Sequence, residues 1–549
     1  MPPAETLPEL LERARLRPEA GIRLLDRREN EEWISWGEIA RGADSVAAGL
    51  AAAGVAAGDV VGVVFPTSRA FFEAFFGCLL AGAVPAALPP ASLLGPTGDY
   101  RRRIESRLRC TGALLALADA RGKAALAGLP VRTLAELSPG GGRPPHRARP
   151  GDVAMVQFSS GSTGEPRPVA LSHRAVLAQV SILEGFWRDS PGVEHRAVSW
   201  LPLHHDMGLV GCVLPSLSRG REVTLIPPEA FAARPALWLR AISRYRATVS
   251  AAPTFGYALA AGKITDEEIA GIDLSCWRSA LCGAEPVSPE VLRRFARRFA
   301  SNGFRPEALA PVYGLAEAGL AVTFPPLGRE FKSVRFDRDA LTHGLAKEDP
   351  AGREIVSLGA AVPGFSVGIR GEGGRGLPGG SVGHVVVTGP SLMEGYVGAP
   401  EETRRALLGG WLETGDMGFL HGGELYLTGR EKDVVVLRGR KHAPEEIEEA
   451  LGDIAGIRPG GAAAASHLPE GADGERLVIF VERDRGAAPQ ESARIASECR
   501  RAVIGACAII PDDVVVLPPG GLPRTTSGKP RRAEALRVWL AGEIGGDAG

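Results

Sequence analysis

The stretch VAMVQFSSGSTGEPRPVALSHRAVLAQV, residues 153–180, decides the fold class because it places a loop of small residues between a strand and a helix. VAMVQF is a short apolar run typical of a buried strand, and ALSHRAVLAQV has helical spacing. The glycines of SSGSTGEP, residues 159–166, let backbone N–H groups turn toward an anion, and its hydroxyl groups add donors. The spacing is not that of a Walker loop, which also supplies a lysine. The stretch therefore predicts either a phosphate-binding loop or an ordinary glycine-rich turn.

Strand and helix patterns alternate through the first three quarters of the chain. DVVGVVF, residues 59–65, precedes a helical stretch at 68–82, and REVTLI, residues 221–226, precedes a helical stretch at 233–246. This order is typical of α/β proteins with mainly parallel sheets. From about Gly359, short strands separated by glycine and proline turns predict an antiparallel or barrel-like part.

The last part of the chain has the pattern of a separate small domain. Pro444 marks a helix start, and two glutamates in the following turn fit the rules of helix entry. We place the domain boundary near Lys432. The sequence thus predicts an α/β fold with a large domain at 1–431, built of stacked, mainly parallel sheets with helices plus a barrel-like part, and a small mobile α+β domain at 432–549.

Composition excludes several functional classes. A net charge of −1 gives no global field that would hold nucleic acid or an anionic membrane. The longest uncharged stretch, residues 74–98, is interrupted by Pro85, Pro89 and Pro90, which favours a buried helix followed by a buried strand over a membrane span. The N-terminus is charged and has no signal-peptide pattern, and seven cysteines form no C-x-x-C pair. We expect a cytoplasmic protein with free thiols and no membrane span.

Four further motifs decide the role of the loop. They are YGLAEAGL (313–320), ETGDMGFL (413–420), TGREKD (428–433) and LPRTTSGKPRR (522–532). Together with the loop, and in this order, they resemble the core motifs of the adenylate-forming superfamily, which comprises acyl-CoA synthetases, adenylation domains of peptide synthetases and luciferases. The resemblance covers nearly the whole chain and implies that the loop binds phosphate.

A narrower resemblance points to one subfamily. WLPLHHDMGLVG (200–211), CGAEPV (282–287) and RGRKHAPEEIE (438–448) are similar to their counterparts in fatty acyl-AMP ligases. Residues 327–359 resemble the extra insertion of that subfamily, although any surface excursion could occupy that place.

The subfamily implies a reaction in two steps. ATP and a fatty acid give acyl-AMP and pyrophosphate with Mg²⁺ as cofactor, and the acyl group then passes to the phosphopantetheine thiol of an acyl carrier protein. We expect this carrier on a separate chain, in polyketide or lipopeptide biosynthesis. Two alternatives stay open: an acyl-CoA synthetase of the same fold, and a catalytically inactive homologue that serves as a binding module.

The resemblance also assigns the nucleotide site. The β- and γ-phosphates would be bound by Ser159, Ser160, Gly161, Ser162, Thr163 and Gly164. Adenine would be framed by Gly283, Ala284, Glu285 and Tyr313, with Gly314 also in the ATP site. Asp416 would accept hydrogen bonds from the ribose hydroxyls, and Arg430 would lie near the ribose or a phosphate, although both could instead be turn and surface ion-pair residues.

Three residues are expected to act in catalysis. Lys529 would bridge the fatty carboxylate and the α-phosphate, unless it is simply a solvated charge in a polar tail. Glu317 would hold Mg²⁺, which prefers carboxylate and phosphate oxygens. His205 would lie at the carboxylate end of the acyl pocket, since His204, His205 and Asp206 are consecutive and do not converge easily on one metal ion. Lys432 occupies the hinge position about which the small domain would swing between two poses.

One position departs from the family pattern. Where the phosphate loop commonly continues with Pro-Lys-Gly, this chain has Pro166, Arg167 and Pro168. Arginine keeps the positive charge, but Pro168 removes a backbone N–H and fixes φ, so the closure of the loop needs an explanation.

Overall fold

The computed structural model describes residues 3–91, 97–137, 146–159, 166–187, 194–433, 435–437, 440–452, 454–469, 475–507, 509–525 and 528–544. Its α-helices, in chain order, are α1 (Leu7–Ala14), α2 (Trp36–Ala52), α3 (Arg69–Ala81), α4 (Thr97–Cys110), α5 (Ala120–Ala125), α6 (His173–Phe186), α7 (Asp206–Gly208), α8 (Leu214–Ser218), α9 (Pro228–Ala233), α10 (Ala236–Arg244), α11 (Thr254–Lys263), α12 (Pro289–Phe299), α13 (Arg338–Thr342), α14 (Pro400–Ala406), α15 (Pro444–Glu449), α16 (Ser492–Cys507) and α17 (Arg532–Leu540).

The strands, also in chain order, are β1 (Gly21–Leu25), β2 (Glu31–Ser35), β3 (Val60–Val64), β4 (Val84–Ala87), β5 (Leu115–Ala118), β6 (Val131–Arg132), β7 (Val153–Phe158), β8 (Pro168–Ser172), β9 (Ala197–Ser199), β10 (Val223–Leu225), β11 (Val249–Ala252), β12 (Ser279–Cys282), β13 (Leu309–Pro311), β14 (Tyr313–Gly314), β15 (Ala321–Phe324), β16 (Ser333–Phe336), β17 (Arg353–Val356), β18 (Ala360–Ala361), β19 (Ser366–Arg370), β20 (Gly383–Thr388), β21 (Gly395–Tyr396), β22 (Leu407–Leu408), β23 (Trp411–His421), β24 (Glu424–Arg430), β25 (Val435–Leu437), β26 (Arg440–His442), β27 (Ile457–His467), β28 (Arg476–Arg483) and β29 (Asp513–Leu517).

Two large sheets carry most of the chain. One has the strand order β13-β12-β11-β9-β10-β1-β2 and is parallel except for the β1–β2 hairpin. The other has the order β21-β8-β7-β4-β3-β5-β6 and is parallel from β7 to β6. Helices α2 and α3 share one core cluster with strands of both sheets. The prediction of stacked, mainly parallel sheets with helices is confirmed, since parallel sheets need both faces covered.

The predicted helix after the glycine-serine loop begins later than the sequence suggested. Residues 168–172 form β8, antiparallel to β7, and helix α6 starts only at His173. Ser172 accepts a hydrogen bond from the Ala175 N–H (3.2 Å) and so caps the helix. The interpretation of ALSHRAVLAQV as helix throughout was wrong in its first part, because the apolar residues 169–171 are buried against β7. The loop therefore joins two antiparallel strands.

The long uncharged stretch divides as predicted. Helix α3 ends at Ala81, where Gly82 adopts φ +82°, and β4 follows at Val84. The α3 phenylalanines, among them Phe72 and Phe75, are fully buried and pack edge to face with their neighbours. None of the helices in the described ranges is long and apolar enough to cross a membrane.

An antiparallel sheet follows the two parallel ones. It has the order β19-β20-β23-β22, with β24 paired to β23 through a hairpin that turns at Gly422 and Gly423. Both glycines have positive φ, as such turns require. This sheet is the predicted barrel-like part. Its last strand ends at Arg430 and leads directly to the C-terminal part of the chain.

Residues 327–359 form a small unit on this antiparallel sheet. Strands β16 and β17 pair as a hairpin around the short helix α13. Phe336 is fully buried edge to face against Phe419 and Tyr426, at centroid distances of 4.9 and 5.6 Å. The assignment of this unit as a subfamily insertion stays a prediction.

The C-terminal part has its own core. Strands β27, β28 and β29 form one sheet, and α15, α16 and α17 pack on it through two clusters whose members all follow residue 433. Arg532, at the start of α17, binds Asp433 (2.8 Å), Glu445 (2.9 Å) and Glu448 (2.7 Å). Burial raises the pKa of Asp433 and of Glu448, an effect that the Arg532 charge opposes. The arginine thus ties α17 and α15 to the connection after β24, while the domain boundary at residue 432 stays a prediction.

Loss of Arg532 should destabilise this C-terminal unit. Replacing Arg532 by Leu leaves three buried carboxyl groups without their cation, so we expect the free energy of opening to fall by about 3 kcal/mol. Hydrogen exchange of the β28 amides measures this opening. The control is Arg537→Leu on the same helix, whose pair with Glu534 is solvent-exposed and should contribute nothing measurable. Equal effects of the two variants would contradict the assignment.

Candidate active site

The glycine-serine loop is closed at its base by two hydrogen bonds. The Ser159 N–H donates to the Arg167 carbonyl oxygen (3.0 Å), and the Arg167 N–H donates to Ser159 Oγ (3.2 Å). Pro168 lies one residue beyond this pair and starts β8. Arg167 therefore provides the closure, and the missing N–H of the proline removes neither bond. The other predicted phosphate-binding residues, Ser160, Gly161, Ser162, Thr163 and Gly164, lie outside the described residues.

Asp416 is the centre of a buried polar cluster. It opposes Arg430 in the register of β23 and β24, and the Arg430 Nε donates to its Oδ1 (3.1 Å). The Tyr313 hydroxyl donates to Oδ2 (2.6 Å). Asp416 is only 5% exposed, so this is not a surface ion pair. Each carboxylate oxygen still has acceptor capacity for another donor, such as a ribose hydroxyl.

The charges in this cluster are fixed by their surroundings. Burial, together with the Asp416 carboxylate, raises the pKa of Tyr313 well above its ordinary value, so its hydroxyl stays a donor. Burial would lower the pKa of Arg430, but the acidic groups around it, of which Asp416 contributes most, together outweigh this effect and the pKa is raised. Arg430 therefore keeps its positive charge beside the cleft.

Two backbone segments meet where adenine is expected. Gly283, Ala284 and Glu285 follow β12, and Gly314 ends β14. A Cβ at Gly314 would collide with the Leu320 carbonyl oxygen, so only glycine fits this close approach. Ala284 has φ +67°, a strained conformation for an L-residue that is common at binding sites. Ala284 and Gly314 both line the cleft described below.

Glu285 points back into the protein rather than into solvent. Its Oε1 accepts a hydrogen bond from the Phe255 N–H (2.6 Å) at the start of α11. Burial raises its pKa, and the positive charges of Lys529 and Arg524 oppose this shift. The carboxyl group of Glu285 therefore lies close to the C-terminal unit.

Glu317 lies near the base of the loop. Its Oε1 accepts a hydrogen bond from the Tyr396 hydroxyl (3.0 Å), and the Arg167 guanidinium lies 5.2 Å from the Tyr396 ring centroid. Burial raises the pKa of Glu317. Among the described residues, no group of three or more His, Cys, Asp or Glu side chains could hold a metal ion.

The helix after His205 is irregular in a way that shapes the site. Segments Asp206–Gly208, Leu209–Val213 and Leu214–Ser218 run on from one another, and the middle segment is a π-helical turn. A wider turn brings residues five positions apart onto one face. Accordingly, Asp206 and Gly211, and Met207 and Cys212, all line the cleft. Leu209, within the π-helical turn, is fully buried in the core.

Both histidines of this segment are neutral at physiological pH. Burial lowers the pKa of His205 to about 3, and Lys529 and Arg107 add to the shift. Burial also lowers the pKa of His204 well below its ordinary value. Their rings are 4.6 Å apart, centroid to centroid. His205 can therefore orient a substrate by packing and hydrogen bonding, but it does not supply a positive charge.

A cleft of about 690 Å³, including the part open to solvent, is lined by β9, β11 and β12 of one parallel sheet, by α6 and by β14 and β15. Its nucleotide end is lined by Ala284, Tyr313 and Gly314, and its far end by Trp187 and Phe324. These two rings are 6.4 Å apart in an edge-to-face arrangement. The apolar side chains at the far end fit a hydrocarbon chain.

Lys529 enters this region from the C-terminal unit. The Lys529 carbonyl accepts from the Thr525 N–H (2.8 Å), and the Lys529 N–H donates to Thr525 Oγ1 (3.0 Å), which forms a tight turn. Burial and the Arg430 charge lower the pKa of Lys529, whereas Glu285, Asp206 and Asp416 act to raise it. Lys529 is thus not a solvated tail residue, and the structure brings it to the predicted nucleotide site. Lys432 is exposed in the turn after Arg430, and its hinge role stays a prediction.

Sequence reasoning missed two residues of this region. Tyr396, which contacts Glu317, lies in β21 beside β8, and a lone tyrosine in a glycine-rich stretch gives no signal before that pairing is known. Phe255 is the second residue of α11 and contacts Glu285. In the sequence it looks like an ordinary core residue of an apolar helix. The pairing of Asp416 with Arg430 could have been predicted, because the two lie at similar distances from the Gly422–Gly423 turn.

Comparison with known proteins identifies a family and several relatives. The family model described as "AMP-binding enzyme" matches residues 12–397. A protein of Caulobacter vibrioides that carries the provisional name acyl-CoA synthetase is 35% identical over 96% of this chain and 94% of its own length. The long-chain-fatty-acid–AMP ligase FadD26 of Mycobacterium marinum is 33% identical over 92% of this chain and 91% of its own.

A solved structure from work on fatty acyl-adenylate ligases of E. coli and L. pneumophila superposes with a TM-score of 0.90. It is 33% identical, and 98% of each chain is covered. The motifs, the fold and the family match thus agree: the chain belongs to the AMP-binding enzyme family, within the adenylate-forming superfamily.

Proposed function

We propose that the protein is a fatty acyl-AMP ligase that loads an acyl carrier protein. In the first step a fatty carboxylate oxygen attacks the α-phosphorus of ATP. The bond from that phosphorus to the bridging oxygen breaks, and pyrophosphate leaves with the electron pair. In the second step a pantetheine thiol attacks the acyl carbon, the acyl–oxygen bond breaks, and AMP leaves while the thiol proton goes to solvent.

The observation that carries the first step is the place of Lys529. Two anions must approach each other, so positive charge is needed where they meet. Lys529 and Arg430 are within electrostatic reach of each other, beside the Asp416 cluster. We infer that Asp416 accepts hydrogen bonds from the ribose, that Arg430 lies beside ribose or phosphate, and that Lys529 stabilises the charge that develops at phosphorus.

Glu317 is the residue that would hold Mg²⁺. Its half-buried carboxyl group is a hard oxygen donor beside the strand that follows the phosphate loop, and it is a single carboxylate, as is common where phosphate oxygens complete the shell. When bound, the cation would neutralise phosphate charge. Tyr396 would hold the Glu317 carboxyl in place through its hydroxyl group.

The acyl chain would occupy the apolar end of the cleft. The Ser250 hydroxyl group reaches the lining and is already bonded within the protein: it donates to the Val198 carbonyl (2.6 Å) and accepts from the Trp238 Nε1–H (2.8 Å). A tail without polar groups therefore leaves this hydroxyl group paired. His205, as a neutral ring beside Lys529, would pack at the carboxylate end.

Transfer to a carrier protein rests on sequence similarity. The motifs that resemble fatty acyl-AMP ligases and the similarity to FadD26 support it. An acyl-CoA synthetase is the second candidate, and the name of the Caulobacter relative favours it.

The products distinguish these candidates. With ATP, Mg²⁺ and a series of fatty acids, we expect pyrophosphate exchange, followed by acyl transfer to a phosphopantetheinylated carrier protein and little transfer to free CoA. Mass spectrometry of the carrier and of CoA gives both yields. Efficient acyl-CoA formation would identify a CoA synthetase, and the absence of exchange with every acid would identify an inactive homologue.

Lys529→Ala should separate the two steps. Loss of the ammonium group should slow acyl-AMP formation by about 100-fold or more, because one charge-stabilising donor is removed. Transfer from supplied acyl-AMP should change by less than about twofold, because Lys529 is assigned to the first step alone. The control is Lys263→Ala at the exposed end of α11, which should affect neither step. An equal decrease in the rates of acyl-AMP formation and of acyl transfer would refute the assignment of Lys529 to the first step alone.

A further inference from the structure

We propose that Phe255 is the positioning residue through which the large domain holds Lys529 over the nucleotide site. This inference rests on the proposed function and deepens it. It assigns a role to a residue outside the motifs that carry the chemistry.

The start of α11 is fixed to the adenine-side segment by two hydrogen bonds. The Phe255 N–H donates to Glu285 Oε1 (2.6 Å), and the Thr254 hydroxyl donates to the Pro286 carbonyl (2.9 Å). The backbone of Phe255 is therefore held by the same segment that is expected to frame adenine.

The Phe255 side chain faces the C-terminal unit. A Cβ built on Gly528 would lie 3.5 Å from two ring atoms of Phe255, and one built on Gly460 would lie 3.6 Å from Phe255 Cβ. Both distances start from a carbon that glycine lacks, so Phe255 faces the two glycines across a space that one methyl group would fill. We call the backbone of Gly460 and Gly528 the glycine notch. Gly528 has φ +87° and immediately precedes Lys529, so the Phe255 ring lies beside the base of the lysine arm.

The glycine notch is rigid on the side of the C-terminal unit. The Arg524 guanidinium donates to the Gly528 carbonyl (2.7 Å) and to the Gly460 carbonyl (3.0 Å). It is also paired with Glu482 (3.1 Å), which is 1% exposed. One buried ion pair therefore holds both glycines against each other, and a contact to either glycine fixes Lys529.

The Phe255 ring also packs on aromatic side chains of the protein core. Its ring meets Trp200 edge to face at 5.7 Å, and Trp200 is stacked on Phe231 at 3.8 Å. Trp200 and Phe231 are both buried. The ring thus lies between a buried aromatic core and the glycine notch, and Trp200 also opens the segment that carries His205.

Loss of the Phe255 side chain should slow turnover without weakening the binding of substrates. Phe255 is not among the residues that line the cleft, so its loss should leave the Michaelis constants for both substrates nearly unchanged. The position of the Lys529 ammonium would be lost, and misplacement of a catalytic group by about 1 Å can slow a reaction 100-fold. The effect should therefore appear in kcat.

The test compares Phe255→Ala with Phe331→Ala. Phe331 is also a partly buried phenylalanine packed on the core cluster that includes Trp200. We expect Phe255→Ala to lower the single-turnover rate of acyl-AMP formation at least tenfold, with both Michaelis constants within about twofold, whereas Phe331→Ala stays near wild type. Phe255→Leu, which keeps apolar bulk, should recover most of the rate. A wild-type rate in Phe255→Ala, or an equal loss in Phe331→Ala, would overturn the proposal.

Two further measurements separate positioning from a purely structural role. In the Lys529→Ala background, Phe255→Ala should cause no further loss, because it acts through the lysine. Additive losses would overturn the proposal. Independently of any activity, Phe255→Ala should accelerate tryptic cleavage at the exposed Lys432, because the C-terminal unit is released. Unchanged cleavage would overturn the docking contact, whereas an inactive wild-type enzyme would overturn the proposed function alone.

Discussion

A lysine carried by the C-terminal unit lies within electrostatic reach of Arg430 and of three carboxyl groups from separate parts of the chain. Burial disfavours its charge, and Glu285, Asp206 and Asp416 offset that cost. The same carboxyl groups would repel a fatty acid and ATP, so the site needs both positive charges. This balance of charges depends on the position of the C-terminal unit against the rest of the chain.

The remaining features of the site follow from the need to hold nucleotide and apolar acid side by side. The Asp416 cluster is buried and rigid, so its free acceptor capacity is already oriented. The π-helical turn places Met207 and Cys212 on one wall of the cleft, and the lowered pKa of His205 keeps its ring neutral. Charge is thus concentrated at one end of the cleft, and the other end is left to Trp187 and Phe324.

Much of the fold could be predicted from sequence, since strand and helix periods differ and the motifs occur in a fixed order. The helix predicted at ALSHRAVLAQV failed in its first part because short apolar runs are compatible with either structure until a partner strand is known. The closure of the loop by Arg167 was unpredictable for a similar reason, since it depends on the antiparallel register of β7 and β8. In the sequence, the missing N–H of Pro168 suggested that closure of the loop would be hindered, but in this register neither closing hydrogen bond uses that N–H.

Asp416, Arg430 and Lys529 could be predicted as members of one site because each carries a charged group in a recognisable motif. The structure brings these three residues together. Their roles, like those of Glu317 and His205, stay predictions. Contacts that depend on tertiary packing leave no recognisable pattern in the sequence. Phe255 reads as a helical core residue, and its place between Trp200 and the glycine notch appears only when α11 and the C-terminal unit are brought together.

A crystal structure with a non-hydrolysable acyl-adenylate analogue and pyrophosphate would test the central claim most directly. The account predicts the Lys529 ammonium within hydrogen-bond distance of the analogue's acyl or phosphoryl oxygen, its ribose hydroxyls on Asp416, and pyrophosphate at residues 159–164. Pyrophosphate far from residues 159–164, or Lys529 directed into solvent with the ligand bound, would contradict it.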